Sequence, residues 1–274
     1  MMHPLPSIRR HVRFALLTLL SGLSLPLAAQ EHDPARRLIE EVVAAVGGVE
    51  RLHTLRDVEY EYVYRNVETG EADISLERYV FDGELSWARY TQRQTNWPPE
   101  ARGELVQGYN GDSTWATLDG EPVTDPQLLR MSDFLRKTNY YWFTMMFKLL
   151  DPGLTYELMD PQVIDDGPPE AYHRVKIGFE DNVGDVQDTY VLYIHPRTRL
   201  VDQFLFTVLD FGRADPLLMK VEYEEIEGLK LPTERRYAPA DWDGNILEEK
   251  WTEEISRNVR FENGFEREMF EAPE

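Results

Sequence analysis

The chain contains no cysteine. It can therefore form no disulfide, offers no thiolate as metal ligand or nucleophile, and has no cysteine to which an N-terminal lipid could be attached. Long apolar runs are also lacking: the run Phe14–Leu25 falls short of the roughly 20 residues that a bilayer-spanning helix requires. The sequence thus argues against a disulfide scaffold, a lipid-anchored protein and a membrane-spanning protein.

Basic residues are scarce. The chain has 29 Lys and Arg against 50 Asp and Glu, a formal net charge of -21. Three of the basic residues fall within the first 29 positions, which carry no acidic residue, so the remainder carries a net charge of -24. A surface of this sign repels phosphate backbones and anionic membranes, so we expect no nucleic-acid partner. A solvated acidic face on a β protein explains the charge most simply.

Motifs of catalysis and cofactor binding are missing. The sequence has no G-x-S-x-G, no H-E-x-x-H, no phosphate-binding glycine loop and no dinucleotide motif. The acidic stretch 181–188 could offer oxygens to calcium, but it lacks the residue order of a calcium-binding loop and is typical of a hairpin turn. The best enzyme candidate is His195 with Asp202, although His195 is explained more simply as a turn residue. We predict no metal and no cofactor.

Residues 1–29 have the three parts of an export signal. A basic region, Ile8–Arg13, precedes the apolar run Phe14–Leu25, and Ala28 and Ala29 provide the small residues of a cleavage site. We therefore expect cleavage near Ala29 and a periplasmic or secreted protein. Residues 30–274 are predicted to form a single domain.

The segment Thr189–Leu209 organises the rest of the chain. Two arms rich in β-branched and aromatic residues flank the turn 195–199, which predicts a β-hairpin. Pro196 favours the backbone angle of the first central turn position, and Arg199 is expected in the left-handed conformation that closes the loop. Both arms are apolar on both faces, so the hairpin is expected to be covered on both faces or to line a cavity.

Period-two alternation predicts about a dozen short strands. A meander covers residues 58–91, a hairpin covers residues 105–118, and a second meander begins at His173 and includes the organising hairpin. In the last strand Trp251, Ile255, Val259 and Phe261 alternate with polar residues.

Two helices are predicted within this β pattern. The first begins with Asp33 as N-cap and Pro34 at its first position, and Gly47-Gly48 ends it. The second runs from Asp125-Pro126 to Leu150 and is ended by Asp151-Pro152-Gly153. In its last part, Asn139–Leu150, nearly the whole circumference is apolar. Such a helix either fills a core or lines a cavity for an apolar ligand, and the first alternative is the commoner one.

The order of these elements resembles a known superfamily. The segments that carry the resemblance are YNGDSTW at 109–115, NYYWFTMMFKLLDPG at 139–153, YVLYIHPRTRLVDQFLF at 190–206 and GLKLPT at 228–233. Together they resemble the lipoprotein carriers with the LolA/LolB-like fold, and in particular their uncharacterised secreted bacterial members. The chain departs from that pattern in its strong acidity and in having no cysteine for a lipid anchor.

The resemblance implies a mainly β (α+β) fold: a strongly curved antiparallel sheet, or open half-barrel, whose concave face is covered by an N-terminal helix and by the helical insert. It also implies a hydrophobic ligand, a lipid or a lipidated protein, held between sheet and helices. A structural or interaction domain with a filled core and a hydrolase with a dispersed site are the alternatives. The candidate ligand-binding residues are Tyr62, Trp87, Tyr140, Trp142, Phe143, Met146, Phe147, Tyr190, Leu192, Phe204 and Phe206.

Overall fold

A computed structural model describes residues 33–97, 103–180 and 187–273 of the chain. The predicted export signal and most of the acidic stretch 181–188 lie outside these ranges. Three α-helices are present: α1 (Pro34–Ala45), α2 (Val49–Thr54) and α3 (Pro126–Lys148). The first and third begin at a proline, as the sequence predicts, because the missing N–H of proline costs nothing in the first helical turn.

Helix α3 is capped as predicted. The Asp125 carboxylate accepts hydrogen bonds from the backbone N–H groups of Gln127 (2.8 Å) and Leu128 (3.0 Å), which have no partner within the helix. The helix ends at Lys148, two residues before the predicted end, and the chain leaves it through Pro152 and Gly153.

The described residues contain thirteen strands, all in one antiparallel sheet. They are β1 (Asp57–Asn66), β2 (Ala72–Val80), β3 (Leu85–Gln92), β4 (Leu105–Tyr109), β5 (Thr114–Leu118), β6 (Glu121–Pro122), β7 (Leu154–Gln162), β8 (Tyr172–Phe179), β9 (Tyr190–Ile194), β10 (Val201–Val208), β11 (Arg213–Ile226), β12 (Leu229–Pro239) and β13 (Thr252–Phe261). The mainly β fold is therefore confirmed. The two-residue β6 was not predicted.

The strand order explains why α3 crosses the sheet. Reading across, the order is β6-β5-β4-β3-β2-β1-β13-β12-β11-β10-β9-β8-β7, so the first and last strands of the chain pair at the centre. The sheet is not closed, and its two edges are β6 and β7. These edge strands are consecutive along the chain, and α3 connects them. With 23 residues and a rise of about 1.5 Å per residue, this helix reaches about 35 Å.

The three helices and one face of the sheet enclose the main core, and we call this the helix side of the sheet. It contains Ile39 and Val42 of α1, Phe143 and Phe147 of α3, and the inward residues of most strands. The opposite face, the outer side, carries a smaller apolar cluster around Tyr193, which loop residues help to cover.

The organising hairpin is confirmed as strands β9 and β10. Leu192 and Phe204 pair across it on the helix side, while Val191 and Leu205 pair on the outer side, and all four are buried. Arg199 has a φ of 62°, the left-handed conformation that the loop was predicted to need. The arms are apolar on both faces because both faces are covered.

One alternation pattern in the sequence does not correspond to the faces of its strand. In β13, Glu254 and Ser256 are buried, whereas Ile255 is only half-buried. The strand register shifts opposite Glu59–Glu61, and Asn258 has a φ of 56°. A bulge adds one residue to the strand, so the residues that face the helices are even-numbered before it and odd-numbered after it. The first half of β13 therefore places polar side chains against the helix side.

Candidate functional site

A cavity of about 1040 Å³ lies between α3 and the helix side of the sheet. One wall is the first two thirds of α3, from Gln127 to Trp142. The opposite wall consists of residues from strands on both sides of the sheet centre, including Tyr62 of β1, Tyr190 of β9 and Tyr237 of β12. A helix that crosses between the two sheet edges thus leaves a space beneath its first part and packs tightly through its last part.

The predicted ligand-binding residues separate into three groups. Four of them line the cavity: Tyr62, Trp142, Tyr190 and Phe206. Six are buried side chains of the main core that do not line it: Tyr140, Phe143, Met146, Phe147, Leu192 and Phe204.

Trp87 lies on the outer side of the sheet, where the Arg78 guanidinium sits 4.8 Å from its ring centre. Successive side chains of a strand point to opposite faces of the sheet, and the adjacent Ala88 of β3 faces the helices. Trp87 therefore does not line the cavity.

The aromatic segment of α3 has two roles. Phe143 stacks on Tyr60 with ring centres 4.8 Å apart and fills the core, whereas the adjacent Trp142 borders the cavity.

Aromatic rings form the apolar wall at Trp142. Its ring meets Phe206 edge-on at 5.2 Å between centres, and Tyr190 lies 6.4 Å away. Tyr141 completes this wall, and its ring centre lies 6.2 Å from that of Tyr190. Burial raises the pKa of both phenols above the ordinary value, so they stay neutral at any physiological pH.

The mouth of the cavity lies where the turn between β10 and β11 approaches α3. Phe211 of this turn packs edge-to-face against Phe134 of α3, and the two ring centres are 4.7 Å apart. Phe211 is nevertheless 59% exposed, which is unusual for a phenylalanine. Charged residues of both signs, Arg130, Asp133 and Arg213 among them, surround this contact.

A polar row crosses the sheet wall of the cavity. Asp73 of β2 pairs with Tyr64 of β1, Tyr64 pairs with Glu254 of β13, and Glu254 pairs with Arg235 of β12. The Tyr64 hydroxyl also lies 2.6 Å from that of Tyr237. Asp73, Tyr64 and Glu254 line the cavity.

The two acids of this row differ in their partners. The Asp73 carboxylate accepts three hydrogen bonds, from the backbone N–H groups of residues 94, 95 and 96. Glu254 is fully buried, and burial raises the pKa of its carboxyl, although Arg235 and the Tyr62 hydroxyl oppose the shift. Arg235 also donates a hydrogen bond to the main-chain oxygen of Trp142 (2.5 Å), which ties β12 to α3 at the cavity.

Several lining residues were not predicted from the sequence. Tyr64 could have been found, because it follows Tyr62 by two positions in a clearly alternating strand. Glu254 gave no such signal, since an acidic residue between polar neighbours is typical of a solvent-exposed strand face. Of the polar α3 residues, Thr138 precedes the aromatic segment on which the prediction relied, and Asn139 is the first residue of that segment.

The enzyme candidate His195 is engaged in its own turn. Its Nδ1 accepts hydrogen bonds from the backbone N–H groups of Arg197 and Thr198, each at 3.1 Å. Asp202 accepts a hydrogen bond from the Tyr172 hydroxyl (2.7 Å), and the Tyr172 ring meets the His195 ring edge-on. These contacts stabilise the turn of the organising hairpin.

Solved structures resemble this chain over most of its length. A DUF1329 family protein from Desulfovibrio piger has a TM-score of 0.53 at 15% identity, over 87% of this chain and 98% of that one. A domain described as an outer membrane lipoprotein-sorting protein from Vibrio parahaemolyticus has a TM-score of 0.48 at 11% identity, over 85% and 94%. Lipoprotein LppX of Mycobacterium tuberculosis has a TM-score of 0.34 at 10% identity, over 84% and 98%.

No family model and no curated protein matches the sequence. At 15% identity, the likeness to the DUF1329 protein is one of fold. Among the described residues, none of the helices combines the length and the apolar character that crossing a membrane requires.

Proposed function

We propose that this protein is an exported carrier or sensor that holds a hydrophobic ligand, such as an acyl chain, between α3 and the sheet. The observation that carries the proposal is the cavity of about 1040 Å³ with its wall of Trp142, Tyr190 and Phe206. Its volume is near the upper end of the roughly 300–1,000 Å³ of small-molecule sites, which are mostly apolar with a few placed polar groups.

Export and carriage fit together. The first 29 residues have the pattern of a cleaved signal, and a hydrophobic ligand needs shielding from water in the periplasm or outside the cell. The net charge of -24 after cleavage disfavours lasting attachment to anionic membrane surfaces, which suits a protein that takes a lipid or a lipidated protein through water.

Displacement of an apolar fluorescent probe tests the proposal. N-phenyl-1-naphthylamine should bind the purified protein with a rise in fluorescence and should be displaced by acyl compounds. Thr138→Trp adds a large ring from the α3 wall into the cavity and should weaken probe binding at least tenfold, because the ring takes the space of the ligand.

Lys176→Trp is the matched control, because Lys176 is an exposed residue of β8 on the outer side. It should bind the probe like the parent protein. Urea unfolding of both variants shows whether the substitutions alter the fold. If the parent protein binds no probe, or if Thr138→Trp binds as well as Lys176→Trp, the carrier proposal fails.

A further inference from the structure

The helix side of the sheet carries one carboxylate whose hydrogen bonding is incomplete. Glu254 is 3% exposed and lines the cavity. Its Oε2 lies 3.1 Å from Nη2 of Arg235, but among the described residues this oxygen receives no hydrogen bond of acceptable geometry. The Nε of Arg235 has no acceptor among them either. A buried polar atom without a partner loses its hydrogen bonds to water without replacement, so such atoms are rare in native proteins.

The neighbouring polar groups do not relieve this deficit. The Tyr62 hydroxyl lowers the pKa of the Glu254 carboxyl, but Oε2 still receives no hydrogen bond of acceptable geometry. Asp73, in the same row, is saturated by three backbone N–H groups. The hydroxyls of Tyr64 and Tyr237 are paired with each other. Glu254 is therefore the side chain of this wall with an acceptor still available, and its ion-pair partner Arg235 stands beside it on the paired strand β12 without lining the cavity.

We propose that Glu254 forms a polar subsite that selects a ligand with a hydroxyl group on its apolar body. A ligand hydroxyl can donate to the carboxylate of Glu254 and supply the hydrogen bond that this group lacks. A free carboxylate is disfavoured, because it would place a second negative charge beside Glu254. An alkane or an ether leaves the carboxylate without its hydrogen bond. This inference rests on the proposed function, because it assigns the class of ligand for the same cavity.

The test compares two ligands that differ in the hydroxyl hydrogen. 1-Dodecanol and its methyl ether each displace N-phenyl-1-naphthylamine from the parent protein at pH 8. The alcohol should bind at least tenfold more tightly, a factor that corresponds to about 1.4 kcal/mol. The additional methyl group of the ether favours the ether, so a preference for the alcohol cannot arise from apolar contact.

Glu254→Leu should lose the preference for the alcohol, measured as the ratio of the displacement constants of alcohol and ether. Glu253→Leu, one position along β13 and on the outer side, is the matched control and should keep the preference. Glu254→Gln keeps the size of the side chain and serves if the leucine variant does not fold. Its preference should fall below about threefold, because a neutral amide accepts a weaker hydrogen bond than a carboxylate.

The outcomes separate the two proposals. Equal displacement by alcohol and ether in the parent protein, or a preference retained in both Glu254 variants, overturns the polar subsite and leaves the carrier function standing. Absence of any probe binding by the parent protein overturns both.

Discussion

Arg136 is a charged residue in the interior of the protein. It lies on α3 and is fully buried, as is its partner Glu77 of β2. The guanidinium donates to both oxygens of this carboxylate, at 2.6 and 3.0 Å, and its Nε donates to the side-chain oxygen of Gln107. A bidentate pair of this kind fixes the position of the helix on the sheet, because a planar fork accepts little displacement.

Removing Arg136 should therefore destabilise the protein strongly. Arg136→Met leaves Glu77 buried without its countercharge, and the expected loss is about 3–5 kcal/mol in the free energy of unfolding. The double substitution Glu77→Leu with Arg136→Met should recover part of this loss. Lys176→Met, in an exposed pair with Glu157, should cost below about 1 kcal/mol. Urea unfolding measures all three, and equal losses for the two single variants would contradict the argument.

Glu59 is expected to control acid stability. Burial works against its charge, but hydrogen bonds from Arg78 and Arg260 outweigh burial and lower the pKa of Glu59 below its ordinary value of 4.5. The unfolded chain then binds a proton at a higher pH than the folded protein does. The stabilising effect of Glu59 is thus fully present above pH 4.5 and is lost as the pH falls through the folded pKa.

Replacing this carboxyl should flatten the acid limb of the stability curve. The free energy of unfolding of Glu59→Gln should decrease less steeply below pH 4.5 than that of the parent protein. Urea unfolding at a series of pH values measures both slopes, and Glu61→Gln on the same strand is the control. Parallel slopes for the parent protein and Glu59→Gln would show that Glu59 does not carry this effect.

Among the elements, the start of the segment after β13 is held to the sheet by the carboxylate of Asp57. Asp57, at the start of β1, is 3% exposed and accepts hydrogen bonds from the backbone N–H groups of Asn263, Gly264 and Phe265. A second anchor is the hydrogen bond from the Trp115 indole to the main-chain oxygen of Phe270 (2.7 Å).

Asp57→Ala should loosen this segment first. We expect faster hydrogen exchange at Gly264 and Phe265, cleavage after residue 262 by a non-specific protease, and a stability loss of about 2 kcal/mol, because several charge-assisted hydrogen bonds disappear together. Asp82→Ala, in an exposed turn, should show none of these changes. Unchanged exchange at the two amides would contradict the role given to Asp57.

At the scale of the whole molecule, pairing of β1 with β13 joins the two ends of the described chain at the sheet centre. The strands before and after α3 share this central pair and the main core, so neither set retains its core alone. We predict one cooperative urea transition, with the same midpoint by far-ultraviolet circular dichroism and by tryptophan fluorescence. Limited proteolysis near Pro168 that yields two independently folded halves would contradict a single domain.

Export is the second expectation at this scale. A protein recovered from the periplasm or the medium should begin near Gln30, and N-terminal sequencing or intact mass spectrometry would show it. An intact Met1 on protein confined to the cytoplasm would refute the predicted signal.

The sequence alone determined what depends on near neighbours along the chain. Capping residues and proline predict the first residues of α1 and α3, Pro34 and Pro126, and turn residues predict the left-handed conformation of Arg199. Periodicity predicts most strands. All of these signals act within a few positions of the chain. Aromatic residues could be assigned to buried positions for the same reason. Which of these aromatic residues fill the core and which line the cavity could not be predicted, because adjacent residues such as Trp142 and Phe143 are both large and aromatic.

Only the tertiary structure decided the features that depend on distant parts of the chain. The pairing of β1 with β13 joins residues about 200 positions apart, and no local pattern specifies it. The cavity exists because α3 connects opposite edges of one sheet. The burial of Glu254 depends on an irregularity in β13 and on residues of the three neighbouring strands in the polar row. Along its own strand Glu254 is an acid among polar neighbours, and this pattern does not predict burial.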